Sequence, residues 1–364
     1  MVDKRVTRRL LLRPVDTLSF RDARPFGPAE QADSGLPSPQ TLAGAIRTFL
    51  LKAHGVNLKQ FGDLVKRYDS FDEALSEYGY PIKGLRDMKI GGPWFSMNEE
   101  LLVPIPSNLK ISKSRNGALT SQSIFRLDPI RTSPPGWQPR EQELRPLWRY
   151  GRESLKSASG YIKPTGLRIF LEGGIPSNQD LVSEEELYAI DRRVGIAIDA
   201  KRKTVDEGMI YTAGMLALKP NVAFCVELTG NRALIAPLCQ PGVLMKFGGE
   251  GKYVEISVHN HNASFWPNVL PGIGDGRLLL LTTPAWFDGW KPRNITCIAA
   301  SVSHPEGVSG WDLAQGGPKP NRFMVPAGTV YFLPKNTHIP QSLVEHHDAL
   351  VGWGHYLEGN WNYV

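Results

Sequence analysis

The sequence predicts an α+β fold built on largely antiparallel sheets. Three observations lead there. Strand-like apolar runs recur along the chain with only a few helical segments among them, not in the regular strand–helix–strand alternation that a doubly wound parallel sheet requires. Gly (36) and Pro (29) are both abundant, as expected of short strands joined by many turns. The length of 364 residues, 41% hydrophobic and 21% charged, suffices for a real core in two ordinary domains or one large one.

The first element reads as a strand over residues 5–13, closing in a polar turn at 14–16. A loop over 19–37 follows and carries Arg21, Asp22, Arg24 and Pro25. The next element is the clearest helix. Ser38 suits an N-cap, Pro39 fits the first helical position and Gly55 terminates the run. Leu42, Ala45, Ile46, Phe49, Leu50 and Ala53 recur at helical spacing as one apolar face, and Arg47 falls off it. A second amphipathic segment spans 61–78. Gly/Pro loops come next, at Gly91-Gly92-Pro93 and Pro104-Ile105-Pro106. Further strands are expected within 161–171, 194–199, 222–229, 253–259, 278–282, 295–303 and 325–333. There is no fixed-period repeat and no coiled coil.

The net charge is +6 and the pI about 9.1, a mild pointer to an anionic partner. The distribution says more. Residues 110–168 hold twelve Lys/Arg against four Asp/Glu, so the rest of the chain, with 30 basic and 32 acidic groups, is slightly negative. Phe125, Trp137, Trp148, Tyr150 and Tyr161 are interleaved with these cations and with several prolines. Cations that track phosphates beside rings that stack on bases suit single-stranded nucleic acid. A solvated insertion without a ligand fits the same residues equally well. No apolar run reaches the length of a membrane span, and Arg13 interrupts the only one near the basic N-terminus, so a cytoplasmic protein is expected. Cys225, Cys239 and Cys297 have no metal-ligand spacing, which suits buried thiols in a reducing compartment.

Residues that carry catalysis are hard to find. His259 and His261 would face the same way from one strand, but no acidic or thiol partner lies nearby in sequence. His346-His347-Asp348 reads as a polar turn, and becomes a general-base cluster only if the fold sets a nucleophile beside it. Phosphate loops, dinucleotide fingerprints and nucleophile elbows are all lacking. No metal or cofactor is expected. Two other segments are more suggestive. In 246–253 (KFGGEGKY), Gly248, Gly249 and Gly251 between Lys246 and Lys252 permit a backbone turn that approaches an anion, with Tyr253 opening the next strand; a glycine-rich hairpin turn is the commoner explanation of such a string. Residues 192–211 read as a hairpin with Arg192 and Arg193 on one arm and Lys201, Arg202 and Lys203 at its tip. Such a finger can lie across a phosphate backbone or be a solvated turn.

Taken in order, these segments resemble one family. Residues 12–26 (LRPVDTLSFRDARPF) and 38–48 (SPQTLAGAIRT) are similar to the start of the third subunit of the type III-B CRISPR (Cmr) effector complex, within the RAMP superfamily. The similarity continues through Gly92-Pro93, Pro104-Ile105-Pro106, the hairpin and 247–251 (FGGEG). It then takes in 283–285 (TPA), 289–292 (GWKP), 309–312 (SGWD), 317–320 (GPKP) and 326–331 (PAGTVY). No single motif is diagnostic, but the ordered set is.

The resemblance implies two ferredoxin-like (RRM-like) modules: residues 1–260, with a basic insertion at about 105–170, and residues 261–364. It implies a non-catalytic subunit that grips the repeat-derived 5′ tag of the guide RNA (crRNA) and contacts the large polymerase/nuclease subunit and the repeating backbone subunit. Carried onto this sequence, the RNA-binding candidates are Arg21, Arg24, Arg47, Arg192, Arg193, Lys201, Arg202, Lys203, Gly248, Gly249, Gly251, Lys252 and Tyr253. The usual RRM stacking signature is lacking, so RNA is expected on loops and glycine turns. One rival reading is a metal-independent guide-processing endoribonuclease using His54, or His346 with His347. Another is a pure scaffold whose Trp286, Trp290, Trp311, Trp353 and Trp361 serve protein contacts. The equivalent type III-A subunit shares the chemistry and differs in partners.

Overall fold

Strand β1 (Arg5–Pro14) carries Leu10, Leu11 and Leu12 in succession, and all three are buried. Successive strand residues point to opposite faces, so this strand must be covered on both sides. The computed structural model describes residues 4–20, 31–32, 34–112, 123–139, 141, 144–198, 205–259, 265–270, 273–312 and 316–364, and it supplies both covers.

The first sheet contains β1, β2 (Lys89–Met97), β3 (Glu100–Pro104), β4 (Tyr161–Ile162), β5 (Leu181–Val182), β6 (Val222–Asn231), β7 (Val243–Lys246) and β8 (Tyr253–Val258). Their spatial order is β5-β4-β3-β2-β6-β1-β8-β7, with every pairing antiparallel. Helix α1 (Pro39–Ala53) links β1 to β2, and the short α5 (Arg232–Ile235) follows β6. The four central strands thus stand in the order fourth-first-third-second, a ferredoxin-like βαββαβ unit.

The second sheet contains β9 (Gly276–Leu281), β10 (Ala299–Ser301), β11 (Val330–Pro334) and β12 (Tyr356–Trp361) in the order β10-β11-β9-β12, again antiparallel. Taken by succession, that is the same fourth-first-third-second order, run from the opposite edge. Only one of its two expected helices is present, the short α6 (His346–Leu350) before β12. Residues 282–298 carry no helix and lay Ala285, Ile295 and Cys297 on the sheet's outer face, against Leu279, Leu281, Tyr331 and Leu333.

Leu10, Leu12, Phe224, Val226 and Leu228 face α1, whose Leu42, Ile46 and Leu50 share their core. Leu11, Ala223, Cys225 and Trp94 face Leu278, Leu280, Phe332 and Trp361 of the second sheet. A polar link crosses that second interface. Trp94 Nε1 donates to Thr282 Oγ at 3.2 Å, which meets His355 Nδ1 at 2.6 Å. Burial lowers the His355 pKa to about 3, so the imidazole is a neutral member of this network.

Helix α1 forms as its sequence predicts. Ser38 Oγ accepts from the Thr41 N–H at 3.2 Å, Pro39 opens the helix and Gly55 leaves it at φ +77°. The 61–78 segment is two helices, α2 (Leu58–Tyr68) and α3 (Phe71–Leu75). The 161–171 run is not one strand. Only Tyr161–Ile162 is extended, and Pro164 starts helix α4 (Pro164–Leu171), which buries Leu167, Phe170 and Leu171 at helical spacing. Within 295–303 only Ala299–Ser301 is a strand, and within 325–333 the strand begins at Val330.

The excursion between β3 and β4 forms a three-stranded sheet of Ile124–Arg126, Leu109–Ser112 and Leu155–Ser157 and a pair of Asp128–Pro129 with Leu147–Trp148. Arg126 fastens it to the rest. Its side chain is 2% exposed, pairs with Asp128 at 2.9 Å, and donates to the carbonyls of Phe170 (2.7 Å) and Asn360 (3.0 Å). One guanidinium therefore joins the excursion, α4 and the edge strand β12. Arg126→Met leaves the Asp128 carboxylate without its cation and two carbonyls without a donor. We expect a loss of about 3 kcal/mol in urea denaturation, with the transition midpoint lowered.

Candidate nucleic-acid interface

Because neighbouring strands are antiparallel, the C-terminal end of β1, the β7–β8 turn and the start of β6 lie at one end of the first sheet. At that end the glycine turn 247–252 is built against the chain that leaves β1. Phe247 is buried and meets Phe20 edge-on, with ring centroids 5.0 Å apart. Gly248 adopts φ +84°, and a Cβ there would sit 2.5 Å from the Ser19 carbonyl oxygen. The Gly249 N–H donates to that same carbonyl at 2.8 Å. Gly251, at φ +65°, faces open space. Glycine is therefore required at 248 by a close backbone approach, and at 251 by conformation alone.

The loop carrying Arg21 and Arg24 lies outside the described residues, but its two ends do not. The Phe20 N–H donates to Ser34 Oγ at 2.9 Å, and the Gly35 N–H to the Phe20 carbonyl at 3.0 Å. These bonds close the loop at a neck resting on the glycine turn. The basic hairpin is a ribbon of Tyr188–Ile198 with Val205–Leu218, longer than the 192–211 read from sequence. It is tied to the same neck. Leu18 and Leu216 exchange both backbone hydrogen bonds, at 2.8 and 2.7 Å, and Gln31–Ala32 run parallel to Thr212–Ala213.

Three of the four regions singled out in the sequence thus meet at one end of the sheet. Exposed Arg192 and Arg193 lie on the ribbon, with Arg193 paired to Asp191 at 2.8 Å. Lys252 Nζ pairs with Asp16 Oδ2 at 2.8 Å and acts as an internal brace between the turn and β1. Tyr253 is half-exposed, and its ring lies 5.8 Å from Lys246 Nζ. Lys201, Arg202 and Lys203 lie outside the described residues. Arg47 does not join the group. Its guanidinium stacks 4.7 Å over the Phe71 ring of α3, where burial draws its pKa down and the Asp72 carboxylate partly offsets that. Sequence reasoning passed over Asp16, Ser19, Phe20 and Ser34, whose value is positional and carries no composition signal.

Both faces of the first sheet are packed, so its stacking surface is not open as in an RRM. What remains for a ligand at this end is loop backbone, ribbon and cations. The whole-chain comparisons bear on that arrangement. A protein-family model, CRISPR-associated protein (Cas_Cmr3), matches residues 10–361. The chain belongs to the Cmr3 family. It is accordingly a subunit of a type III-B CRISPR effector, as the sequence resemblance implied.

Among solved structures, this Cmr3-family chain resembles one in the cryo-EM structure of the type III-B Cmr-beta complex bound to cognate target RNA and AMPPnP. The two are 17% identical, 96% of each chain is covered and the TM-score is 0.54. It also resembles one in the same complex bound to cognate target RNA, at 17% identity over 89% of this chain and 86% of that one, with a TM-score of 0.51. No curated protein matches the sequence.

Gly248→Ala must move the Ser19 carbonyl as well as hold an unfavourable φ, whereas Gly251→Ala faces the φ cost alone, about 1 kcal/mol. We expect thermal melts to show the larger loss for Gly248→Ala. The Asp16 carboxyl sits below its ordinary range, chiefly through the Lys252 hydrogen bond, with the Thr17 backbone N–H and the fields of Lys252 and Arg193 adding to it. A depressed carboxylate stabilises the fold above its unfolded pKa, and that contribution fades as pH falls through the folded value. Lys252→Met is therefore expected to raise the Asp16 titration midpoint, read by carboxyl NMR, and to differ least from wild type in acid.

Proposed function

We propose that this chain is the non-catalytic guide-RNA-binding subunit of its effector. It grips the 5′ tag at the glycine-turn end and bridges the large polymerase/nuclease subunit to the backbone subunits, in the cytoplasm. The observation that carries this reading is the convergence of the loop neck, the glycine turn and the ribbon at one end of the first sheet. Open space beside Gly251 leaves room for a sugar–phosphate backbone. Arg192 and Arg193 stand on the adjoining ribbon, and Arg21 and Arg24 are carried by the loop that the neck closes. An unpaired tag lying there has its bases free for edge contacts and stacking, while target sequence is read by guide pairing.

Of the histidines considered for a cutting role, His54 is held within the fold: its Nε2 lies 2.9 Å from the Leu234 carbonyl. No helix among the described residues is long and apolar enough to cross a membrane.

The test is to purify the tagged chain from its host and sequence the nucleic acid bound to it. We expect guide RNAs with one shared 5′ repeat-derived end, in the same peak as the partner subunits. Reversing Arg192 and Arg193 to Glu, together with Arg21 and Arg24, should weaken guide retention. The same reversals should make the salt dependence shallower, by about one in slope for each phosphate no longer held. Guide retention unchanged by all four reversals, or release of a 2′,3′-cyclic phosphate product from repeat RNA by the purified chain, would overturn the proposal.

A further inference from the structure

We infer that the basic excursion between β3 and β4 is a second surface for single-stranded RNA, on which Trp148 and Tyr150 stack against bases. This goes beyond the tag-gripping reading and does not depend on it. The pairings β1–β6, β6–β2 and β2–β3 are all antiparallel, so β3 runs away from the glycine turn. The excursion leaves after Pro104 and returns at Tyr161, which pairs with Pro104; Leu102 stands level with Phe95, Phe224 and Leu12, so both lie part-way along the sheet, on the flank opposite β7 and β8. Four strand spacings of about 4.8 Å, from β3 through β2, β6 and β1 to β8, set the excursion roughly 20 Å across the sheet from the glycine turn.

The charge of the excursion divides into two groups. Arg126 turns inward to Asp128, while Arg131 and Arg145 are engaged at the surface, with Asp275 and with the Arg131 carbonyl respectively, and both lie over the Tyr363 ring. Arg149 is a clamp. Its guanidinium lies 3.6 Å from the Phe125 ring centroid and 3.0 Å from Glu153 Oε2, holding its segment to the small sheet.

With Arg149 drawn inward, its neighbours Trp148 and Tyr150 remain outside, 42% and 71% exposed, and exposed Arg152 and Lys156 follow them. Rings and cations thus share one exposed segment, the arrangement that stacks bases and tracks phosphates. Charge favours nucleic acid over a protein occupant. Three of the four acidic residues within 110–168 are already ion-paired: Asp128 with Arg126, Glu141 with Lys291, and Glu153 with Arg149. The outward field there is therefore positive.

The test uses the full chain and a 4-thiouridine-containing oligouridine of about 16 nucleotides, without tag sequence, for anisotropy and photocrosslinking. We expect crosslinks within residues 144–157. The double change Trp148→Ala/Tyr150→Ala should weaken binding by about tenfold or more, while Trp148→Phe/Tyr150→Phe stays within about threefold because a ring remains to stack. Unaltered affinity in a folded alanine variant overturns the inference. So does loss of a protein subunit from the assembled complex with oligouridine binding intact, which marks a protein interface instead. Crosslinks within 144–157 together with guide retention unchanged by the Arg21, Arg24, Arg192 and Arg193 reversals would overturn the tag-gripping proposal and leave this one standing; guide retention lost on those reversals, with no crosslinks within 144–157, would do the reverse.

Discussion

Three leucines in a row on β1 impose a condition that the rest of the molecule satisfies. Leu10 and Leu12 face one way and Leu11 the other, and β6 repeats the pattern with Phe224 and Val226 against Ala223 and Cys225. A strand apolar on both faces needs two covers, and here α1 supplies one while the second sheet supplies the other. The result removes the open sheet face on which RRM-type modules stack bases. Groups able to meet a ligand are left at strand ends and edges. That is where the glycine turn, the loop neck and the ribbon stand, at one end, and where the basic excursion leaves, from the flank formed by β3 and β4.

The second sheet keeps the strand order of the first but not its helices. Its outer face is covered by the irregular 282–298 segment, and its inner face shares a core with β1 and β6. The Trp94–Thr282–His355 network and the Arg126 bridge tie the sheets further. A repeated topology here yields two sheets joined through a common, close-packed interior.

How much of this could be read in the sequence depended on whether a signal was local. The N-cap Ser38, Pro39 and Gly55 are local, and α1 formed as they dictated. The 161–171 run misled because Tyr161 and Ile162 are strand residues joined without a linker to a helix. Leu167, Phe170 and Leu171 held the helical spacing, and Pro164 was its start signal. Charge composition located the basic excursion but did not separate the inward Arg126 and the clamping Arg149 from exposed Arg152, because that distinction rests on contacts with residues as distant as Asn360. The same limit applies to Lys252, which sequence grouped with ligand-facing cations and the fold gives to Asp16. Arg47 lies off its helix's apolar face, as the spacing indicated, yet faces α3 and not the glycine turn. The meeting of the glycine turn with Ser19 joins residues more than 200 positions apart, and local pattern carries no trace of it.

The neck at Phe20, Ser34 and Gly35 bears on the tag-gripping role proposed above. A long loop ordinarily loses much conformational entropy when it orders around a ligand, and that loss subtracts from affinity. Closing the loop at its base, and tying it to Gly249 on one side and to Leu216 and Thr212 on the other, sets the position of its ends before any ligand arrives. The β1 leucines seat the strand, the strand seats Ser19, and Ser19 seats the glycine turn, so the geometry at this end is inherited from the core and is more definite than a loop surface alone would be.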